Sequence, residues 1–163
     1  MVIYLGLGTN EGNRERNLHK VIHNLKQNKE IHFSKVSSIY ESEPIGYKDQ
    51  PWFLNAVTEV GSDLQLYNLL RLVKSIEKQI GRKETFRWGP RIIDIDILSC
   101  EHYCIQSKML TVPHPEMHLR KFVLLPLAEI APNFVHPINK LPIQQMIKQC
   151  PQNQVHWYAA FND

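Results

Sequence analysis

The chain is organised around the stretch Trp88-Gly89-Pro90-Arg91-Ile92-Ile93-Asp94-Ile95-Asp96-Ile97-Leu98. Its second half is apolar and largely β-branched, which predicts a buried strand over residues 92–98. Asp94 and Asp96 interrupt this strand two positions apart, so their carboxylates leave the same face. Two carboxylates on one face of an apolar strand repel each other and are poorly solvated unless a positive charge lies between them.

The residues around the two aspartates fit a divalent cation and a polyphosphate. Mg²⁺ takes oxygen ligands and commonly uses one or two carboxylates together with substrate phosphates. Arg82, Lys83, Arg87 and Arg91 place four cations within residues 82–91, directly before the aspartates. A bound polyphosphate with its metal ions would require such a pairing of base and acid. Two solvated carboxylates at a sheet edge are the alternative, and the residue pattern alone leaves both interpretations open.

Length and composition bound the class of protein. The 163 residues, 43% hydrophobic and 21% charged, fit a single globular domain over residues 1–163. The net charge of +3 suits a phosphate-rich ligand but is too small and too dispersed to predict nucleic-acid binding. Because no apolar run reaches about 18 residues and no signal-peptide pattern follows Met1, we expect no membrane association.

Cysteine usage indicates the compartment. The chain has three cysteines, an odd number that argues against a disulfide framework and favours the reducing cytoplasm. Cys100, His102 and Cys104 alternate as part of a zinc site would, but a fourth ligand is not evident nearby. Small buried or edge thiols are therefore the preferred interpretation.

The hydrophobic pattern predicts the element order β-α-β-β-α-β. Strands are predicted over residues 2–7, 31–40, 53–60 and 92–98, and helices over residues 13–28 and 62–81. Ser62-x-x-Gln65 resembles a capping box at the start of the second helix, and Gly81 is placed to end it. A small hairpin over 103–112, helices over 122–130 and 141–149, and a last strand over 155–161 follow. The order is ferredoxin-like and predicts an α+β domain: an antiparallel sheet with helices on one face and a C-terminal extension.

A loop of about ten residues precedes the third predicted strand, and loops of that length in compact domains are often binding loops. Pro44, Gly46 and Pro51 mark this loop. Asn55 is the one amide in the apolar strand that follows. It is either a satisfied structural amide or a reader of the edge of a heterocycle, with Phe53 stacking on the ring.

Four segments, in this order, resemble the 6-hydroxymethyl-7,8-dihydropterin pyrophosphokinase family of folate biosynthesis. They are Tyr4-Leu5-Gly6-Leu7-Gly8-Thr9-Asn10, Gln50-Pro51-Trp52-Phe53-Leu54-Asn55-Ala56, Arg87-Trp88-Gly89-Pro90-Arg91 through Asp94-Ile95-Asp96, and Leu110-Thr111-Val112-Pro113-His114-Pro115. Each segment alone is unspecific, but their combination over residues 2–132 is highly specific. The resemblance implies transfer of a pyrophosphoryl group from ATP to the hydroxymethyl group of the pterin, with release of AMP.

The resemblance also implies the roles of individual residues. Two Mg²⁺ ions would be held by Asp94 and Asp96, and these aspartates with Arg82 and Arg91 would form the catalytic set. The implied ATP contacts are Lys74, Glu77, Arg82, Trp88, Arg91, Ile97, Thr111, His114 and Arg120. The implied pterin contacts are Ser42, Pro44, Ile45, Phe53, Asn55, Trp88 and Phe122. Residues 43–51 and 82–91 would be mobile loops that exclude water on closure, with Trp88 as the lid.

This sequence departs from the family pattern at several positions. Lys74 stands where members often have glutamine, Met109 replaces a frequent arginine, and Glu43 stands where proline or another small residue is common. The basic loop is one residue shorter, with Lys83 and Glu84 where a second arginine often lies. These departures concern ATP affinity and the lid, and they leave the aspartate pair and its two arginines intact.

Two other functions remain to be weighed. Another metal-dependent phosphoryl or nucleotidyl transferase could share the sheet topology, but it would not need the aromatic and amide set of Phe53, Asn55 and Phe122. A non-enzymatic RNA-binding module would need exposed aromatics on adjacent strands with a basic face. Strand aspartates would repel an RNA backbone. We therefore expect a cytoplasmic enzyme of small-molecule substrates that binds neither nucleic acid nor membrane and acts as a monomer.

Overall fold

The computed structural model describes residues 1–101 and 103–162. Its strands are β1 (Val2–Thr9), β2 (His32–Val36), β3 (Ile39–Ser42), β4 (Phe53–Gly61), β5 (Asp94–Cys100), β6 (Ile105–Gln106), β7 (Thr111–Val112) and β8 (Val155–Ala159). Its α-helices are α1 (Arg14–Gln27), α2 (Leu66–Ile80), α3 (Lys121–Ile130) and α4 (Ile143–Gln149), and Met117–Leu119 forms a short 3₁₀ turn. The chain therefore combines helices and strands as the sequence predicted.

The main sheet has six strands, in the order β5-β1-β4-β3-β8, with β2 also paired to β4. All of these pairings are antiparallel. The predicted hairpin is confirmed, since β6 pairs with β7. The strand predicted over residues 31–40 is instead two strands, because Ser37 interrupts the ladder. Its backbone N–H donates to the Val57 carbonyl at 2.9 Å, and its hydroxyl accepts from the Val57 N–H at 3.0 Å.

Helices α1 and α2 cover one face of the sheet. Leu18 and Leu25 of α1 and Leu69 of α2 are fully buried against Ile3 and Leu5 of β1. The side chains at positions 3, 5 and 7 of β1 are buried, as the period of two along a strand requires. This face forms the larger part of the hydrophobic core.

The opposite face is covered by α3 and α4. Leu124 and Leu127 of α3 and Met146 of α4 are buried in a second cluster that includes Val57 of β4 and Leu98 of β5. The expectation of helices on one face is therefore wrong for these two helices. The physical reason is that the central strands are apolar on both faces over part of their length, and such strands must be covered twice.

The two long helices begin and end differently from one another. Asn13 caps α1, since its side chain accepts from the Arg16 N–H at 3.0 Å. Gly81 ends α2 in the left-handed conformation, with φ of 116°, as predicted. The predicted capping box is wrong, because α2 begins at Leu66 and the Ser62 hydroxyl donates to the Glu30 carbonyl at 2.8 Å.

The cysteines are free thiols in the described part of the chain. Cys100 and Cys150 are buried and Cys104 is exposed, while His102 of the partial zinc pattern lies outside the described residues. None of the described helices is long and apolar enough to span a membrane.

Candidate active site

The register of three strands places the key side chains in rows on one face of the sheet. Asp94 lies opposite Gly8 of β1 and Asp96 lies opposite Gly6, while Gly8 lies opposite Asn55 of β4 on its other side. Directly opposed residues of antiparallel strands point to the same face. Because glycines occupy the middle strand, a trough separates the aspartates from Asn55. A Cβ added to Gly8 would lie 3.5 Å from the Asn55 Oδ1.

A cavity of about 420 Å³ lies over this trough. Ten of the predicted site residues line it: Ser42, Ile45, Phe53, Asn55, Trp88, Arg91, Asp94, Asp96, Arg120 and Phe122. The cavity therefore has an amide and an aromatic group on one side of the glycine trough and two carboxylates on the other. An amide hydrogen bond fixes the first side, since Asn55 Nδ2 donates to the buried Ser42 Oγ at 2.8 Å.

Asp94 is surrounded by cations. Its two carboxylate oxygens accept from the guanidinium groups of Arg82 and Arg91, and the Lys74 Nζ lies 3.7 Å away. Burial of the carboxyl would raise its pKa, but Arg82, Lys74 and Arg91 outweigh burial and lower the pKa to about 2. Asp94 is thus ionised and already balanced by protein cations.

Asp96 is in the opposite situation. Its ion pair in the described part of the chain is a loose one, with Arg120 at 4.0 Å. Burial raises the pKa of this carboxyl, and the negative charge of Asp94 raises it further. Asp96 is therefore the aspartate whose charge most needs an additional cation.

Glu77 joins α2 to the start of β5. Its Oε1 accepts from the Ile95 N–H at 2.6 Å and from Lys74 Nζ at 2.7 Å, and it lies 3.5 Å from Arg82. Burial raises the pKa of Glu77, against the opposing effect of the Lys74 charge. Lys74 also donates to the Ile95 carbonyl at 3.1 Å. This network, centred on the buried Glu77 carboxylate, fixes β5, and with it the aspartate pair, to α2.

Several predicted residues do not line the cavity. Lys74 and Arg82 contact Asp94, and Glu77 contacts Lys74 and Arg82. The side chain of Ile97 is buried in the core beneath α1 and α2. A nucleotide contact from Ile97 would therefore have to come from its main chain. His114 is held by its N–H, which donates to the Leu98 carbonyl at 2.8 Å, and burial lowers its pKa. Pro44 is buried, and Thr111 lies in the small hairpin.

The two predicted lid loops touch each other. The Trp88 indole packs on Gly46, where an added Cβ would lie 2.9 Å from the indole. Gln50 Nε2 donates to the Trp88 carbonyl at 2.7 Å, and Tyr47 meets Phe86 edge to face at 5.3 Å. Residues 43–51 and 82–91 therefore share one packed contact at the mouth of the cavity.

The cavity wall also contains residues that were not among the predicted substrate contacts. They include Glu43, Glu116, Pro151 and Asn153. Glu116 directly follows the Pro113-His114-Pro115 motif, so its position near the site could have been predicted from the sequence. Pro151 and Asn153 lie far along the chain and show no such signal, since only pairing of β8 with β3 brings them to the site.

The antiparallel sheet presents two aspartates beside a cluster of cations, an arrangement suited to a transferase that moves phosphoryl groups from a nucleotide. The family model for 7,8-dihydro-6-hydroxymethylpterin-pyrophosphokinase (HPPK) matches residues 4–132, and the chain belongs to this family. It transfers pyrophosphate from ATP to hydroxymethyldihydropterin, a step of folate biosynthesis.

Relatives named 2-amino-4-hydroxy-6-hydroxymethyldihydropteridine pyrophosphokinase support this assignment. The chain is 45% identical to that of Aquifex aeolicus over 143 residues, 88% of both chains, and 46% identical to that of Bacillus subtilis over 129 residues, 79% of this chain and 77% of the relative. The fold matches Plasmodium falciparum HPPK-DHPS with a TM-score of 0.72 at 16% identity, covering 91% of this chain and 44% of that longer one.

Proposed function

We propose that the cavity binds the pterin at its amide and aromatic end and the ATP triphosphate at its aspartate end. The observation that carries this assignment is the row Asn55, Gly8, Asp94 across three strands. A flat heterocycle fits between Phe53 and Phe122 while Asn55 bonds its edge. Ser42, Pro44 and Ile45 supply the loop on the pterin side.

The cations around Asp94 are the groups that hold the phosphates in this proposal. Arg82 and Arg91 bind the transferred group, and Lys74 adds a third positive charge. The remaining ATP contacts are Glu77, Trp88, Ile97, Thr111, His114 and Arg120. Phosphates entering beside Asp94 would compete with its carboxylate for the same guanidinium groups, so nucleotide binding and the freeing of Asp94 are coupled.

The donor set fits Mg²⁺. Asp94 and Asp96 offer carboxylate oxygens on one face of β5, and Asp96 lacks a close cation within the described chain. No three His, Cys, Asp or Glu side chains among the described residues cluster as a complete metal site. Phosphate oxygens and water would therefore complete the coordination, which is how Mg²⁺ is commonly bound, and we propose two such ions. Bound Mg²⁺ supplies charge neutralisation on the phosphates.

Positioning carries the reaction in this proposal. The pterin hydroxyl oxygen loses its proton, which is released to solvent, and forms a bond to the β-phosphorus. The bond from that phosphorus to the oxygen shared with the α-phosphate breaks, and AMP leaves with that oxygen. Arg82 and Arg91 stabilise the charge on the transferred group, and Asn55 with the two phenylalanines orients the hydroxymethyl arm. Trp88 closes over the site and excludes water, which prevents hydrolysis of ATP.

Three broader assignments belong to the same proposal. The chain acts as a monomeric single domain over residues 1–163, with a ferredoxin-like core of β1, the β2–β3 segment, β4 and β5 and a C-terminal extension. It works in the cytoplasm, which the three free thiols favour. Its partners are small molecules, with no nucleic acid or membrane.

An endpoint assay tests the site. ATP, Mg²⁺ and 6-hydroxymethyl-7,8-dihydropterin are mixed with the protein, and nucleotide products are separated by chromatography. Asn55→Ala should raise the KM for pterin by about tenfold or more with little change in the KM for ATP, because the amide that hydrogen-bonds the edge of the heterocycle is lost.

Asp96→Asn should abolish Mg²⁺-dependent AMP release while the far-ultraviolet circular dichroism is unchanged. Full turnover of the Asp96 variant at saturating Mg²⁺ would remove the metal role.

A further inference from the structure

The segment Pro151–Gln154 forms a wall of the substrate cavity and connects its two sides. Pro151 and Asn153 line the cavity. The Gln152 Oε1 accepts from Lys121 Nζ at 3.2 Å, one residue before Phe122. Immediately after the segment, Val155 pairs with Ser42. The segment therefore runs from the aromatic wall at Phe122 to the loop that follows β3.

Glu43 makes three contacts, two of which tie that loop to the segment. Its N–H donates to the Gln154 carbonyl at 3.1 Å, and its Oε1 accepts from the Gln154 N–H at 3.1 Å. Its Oε2 accepts from Lys48 Nζ, also at 3.1 Å. The first two contacts form a closed ring between the two residues, and the third spans the loop over residues 43–51.

The Glu43 side chain makes two of these three contacts, with the Gln154 N–H and with Lys48 Nζ. The hydrogen bond from the Gln154 N–H, with that from Lys48, lowers the pKa of Glu43. The carboxylate is therefore charged throughout the neutral range and keeps both contacts.

We propose that Glu43 is a positioning residue for pterin binding, which holds residues 43–51 against the Pro151–Gln154 wall in the conformation that receives the substrate. This inference rests on the proposed assignment of the cavity to the pterin. Glu43 acts through Ser42, the last residue of β3, and Ile45 of the loop, both of which line the cavity. The clamp between Glu43 and Gln154 orders the loop in advance.

The energetics favour a binding role over a role in overall stability. A surface ion pair adds little to the free energy of unfolding, so loss of Glu43 should leave the fold intact. Ordering a flexible loop, by contrast, costs conformational free energy, and this cost weakens substrate binding unless the loop is already ordered in the free protein. Loss of Glu43 should therefore raise the KM for pterin and leave the kcat at saturating pterin and the KM for ATP nearly unchanged.

Three variants separate the contacts. Glu43→Ala removes both side-chain contacts and should raise the pterin KM by about 5- to 20-fold. Glu43→Gln keeps an acceptor for the Gln154 N–H but loses the charge that pairs with Lys48, so its pterin KM should stay within about threefold of the unchanged protein. Lys48→Ala should match Glu43→Gln. Amide hydrogen exchange in the free protein should accelerate across residues 43–51 in Glu43→Ala alone.

Glu59→Ala is the matched control. Like Glu43, Glu59 pairs with a lysine, Lys35 at 3.3 Å, and accepts one further hydrogen bond from its own neighbourhood, from the Ser34 hydroxyl at 2.9 Å. It also interacts with Tyr4, lies toward the other end of β4 and is not among the residues that line the cavity. Its pterin KM should not change. Unchanged pterin KM in Glu43→Ala, or KM values for both substrates rising together with a falling kcat, would overturn the proposal. If Asn55→Ala also leaves the pterin KM unchanged, the assignment of the cavity is at fault; if only Glu43→Ala does so, the clamp alone fails.

Discussion

Asp94 and Asp96 look alike in the sequence and have opposite surroundings in the structure. Asp94 has Arg82, Arg91 and Lys74 within ion-pair distance, whereas Asp96 has Arg120 at 4.0 Å. Their shared face follows from their spacing along a strand. Their different charge environments could not be predicted, because they depend on which cations of α2 and of residues 82–91 fold back onto β5.

The difference predicts opposite effects on stability when the two aspartates are neutralised in turn. In Mg²⁺-free buffer without nucleotide, Asp94→Asn should lower the free energy of unfolding by about 1–3 kcal/mol, because three cations lose their counter-charge. Asp96→Asn should leave it unchanged or raise it by up to about 1 kcal/mol, because a like-charge repulsion is removed. Urea unfolding followed by circular dichroism measures both values. Equal destabilisation by the two variants would contradict the asymmetry.

At the scale of elements, the structure agrees best with the sequence where a pattern is long and local. Helix α1 lies at nearly its predicted bounds, and α2 ends at Gly81 as predicted, because helical periodicity and the residues that cap a helix act within a few positions. The start of α2 was predicted too early, at Ser62, where no cap forms. The lid contact is different. It joins residues 43–51 to Trp88, and no local pattern indicates which residue the indole will meet.

Gly46 sets how closely residues 43–51 and residues 82–91 approach each other. Its φ is +81°, and an added Cβ would lie 2.9 Å from the Trp88 indole. Gly46→Ala should therefore displace the indole and lower kcat/KM for the pterin by about tenfold or more. Gly12→Ala is the control, since Gly12 has a φ of +69° but an added Cβ there would reach only the Asn17 Nδ2, at 4.0 Å.

Both glycine variants should lose about 1 kcal/mol of stability to backbone strain, and only Gly46→Ala should lose activity. Steady-state kinetics with thermal unfolding of both proteins checks the prediction. Equal kinetics in the two variants would show that the Gly46 contact with Trp88 does not matter for closure.

At the scale of the whole molecule, the sheet is covered on both faces. The larger cluster under α1 and α2 includes Leu69, and the second cluster under α3 and α4 includes Leu127, each with 0% of its surface exposed. Strands β1, β4 and β5 contribute to both clusters. The two halves of the core should therefore unfold together, although the second was predicted only as an extension.

Leu69→Ala and Leu127→Ala test this coupling. Each should lower the free energy of unfolding by about 2–5 kcal/mol, because each empties a fully buried leucine site. Both variants should keep one cooperative transition in calorimetry, with calorimetric and van't Hoff enthalpies in agreement. Two transitions in Leu127→Ala would show that α3 and α4 form a separately folding unit, and the single-domain assignment would then be wrong.

The sequence by itself determined the local features of this protein: the helices and most of their ends, the buried strand with two aspartates on one face, and the motifs that place it in its family. These depend on periodicity and on residue chemistry over a few positions. Only the tertiary structure decided that α3 and α4 cover the second face, that glycines of β1 separate the aspartates from Asn55, and that Pro151–Gln154 completes the cavity. Strand pairing brings together residues more than a hundred positions apart, and no local pattern specifies that pairing.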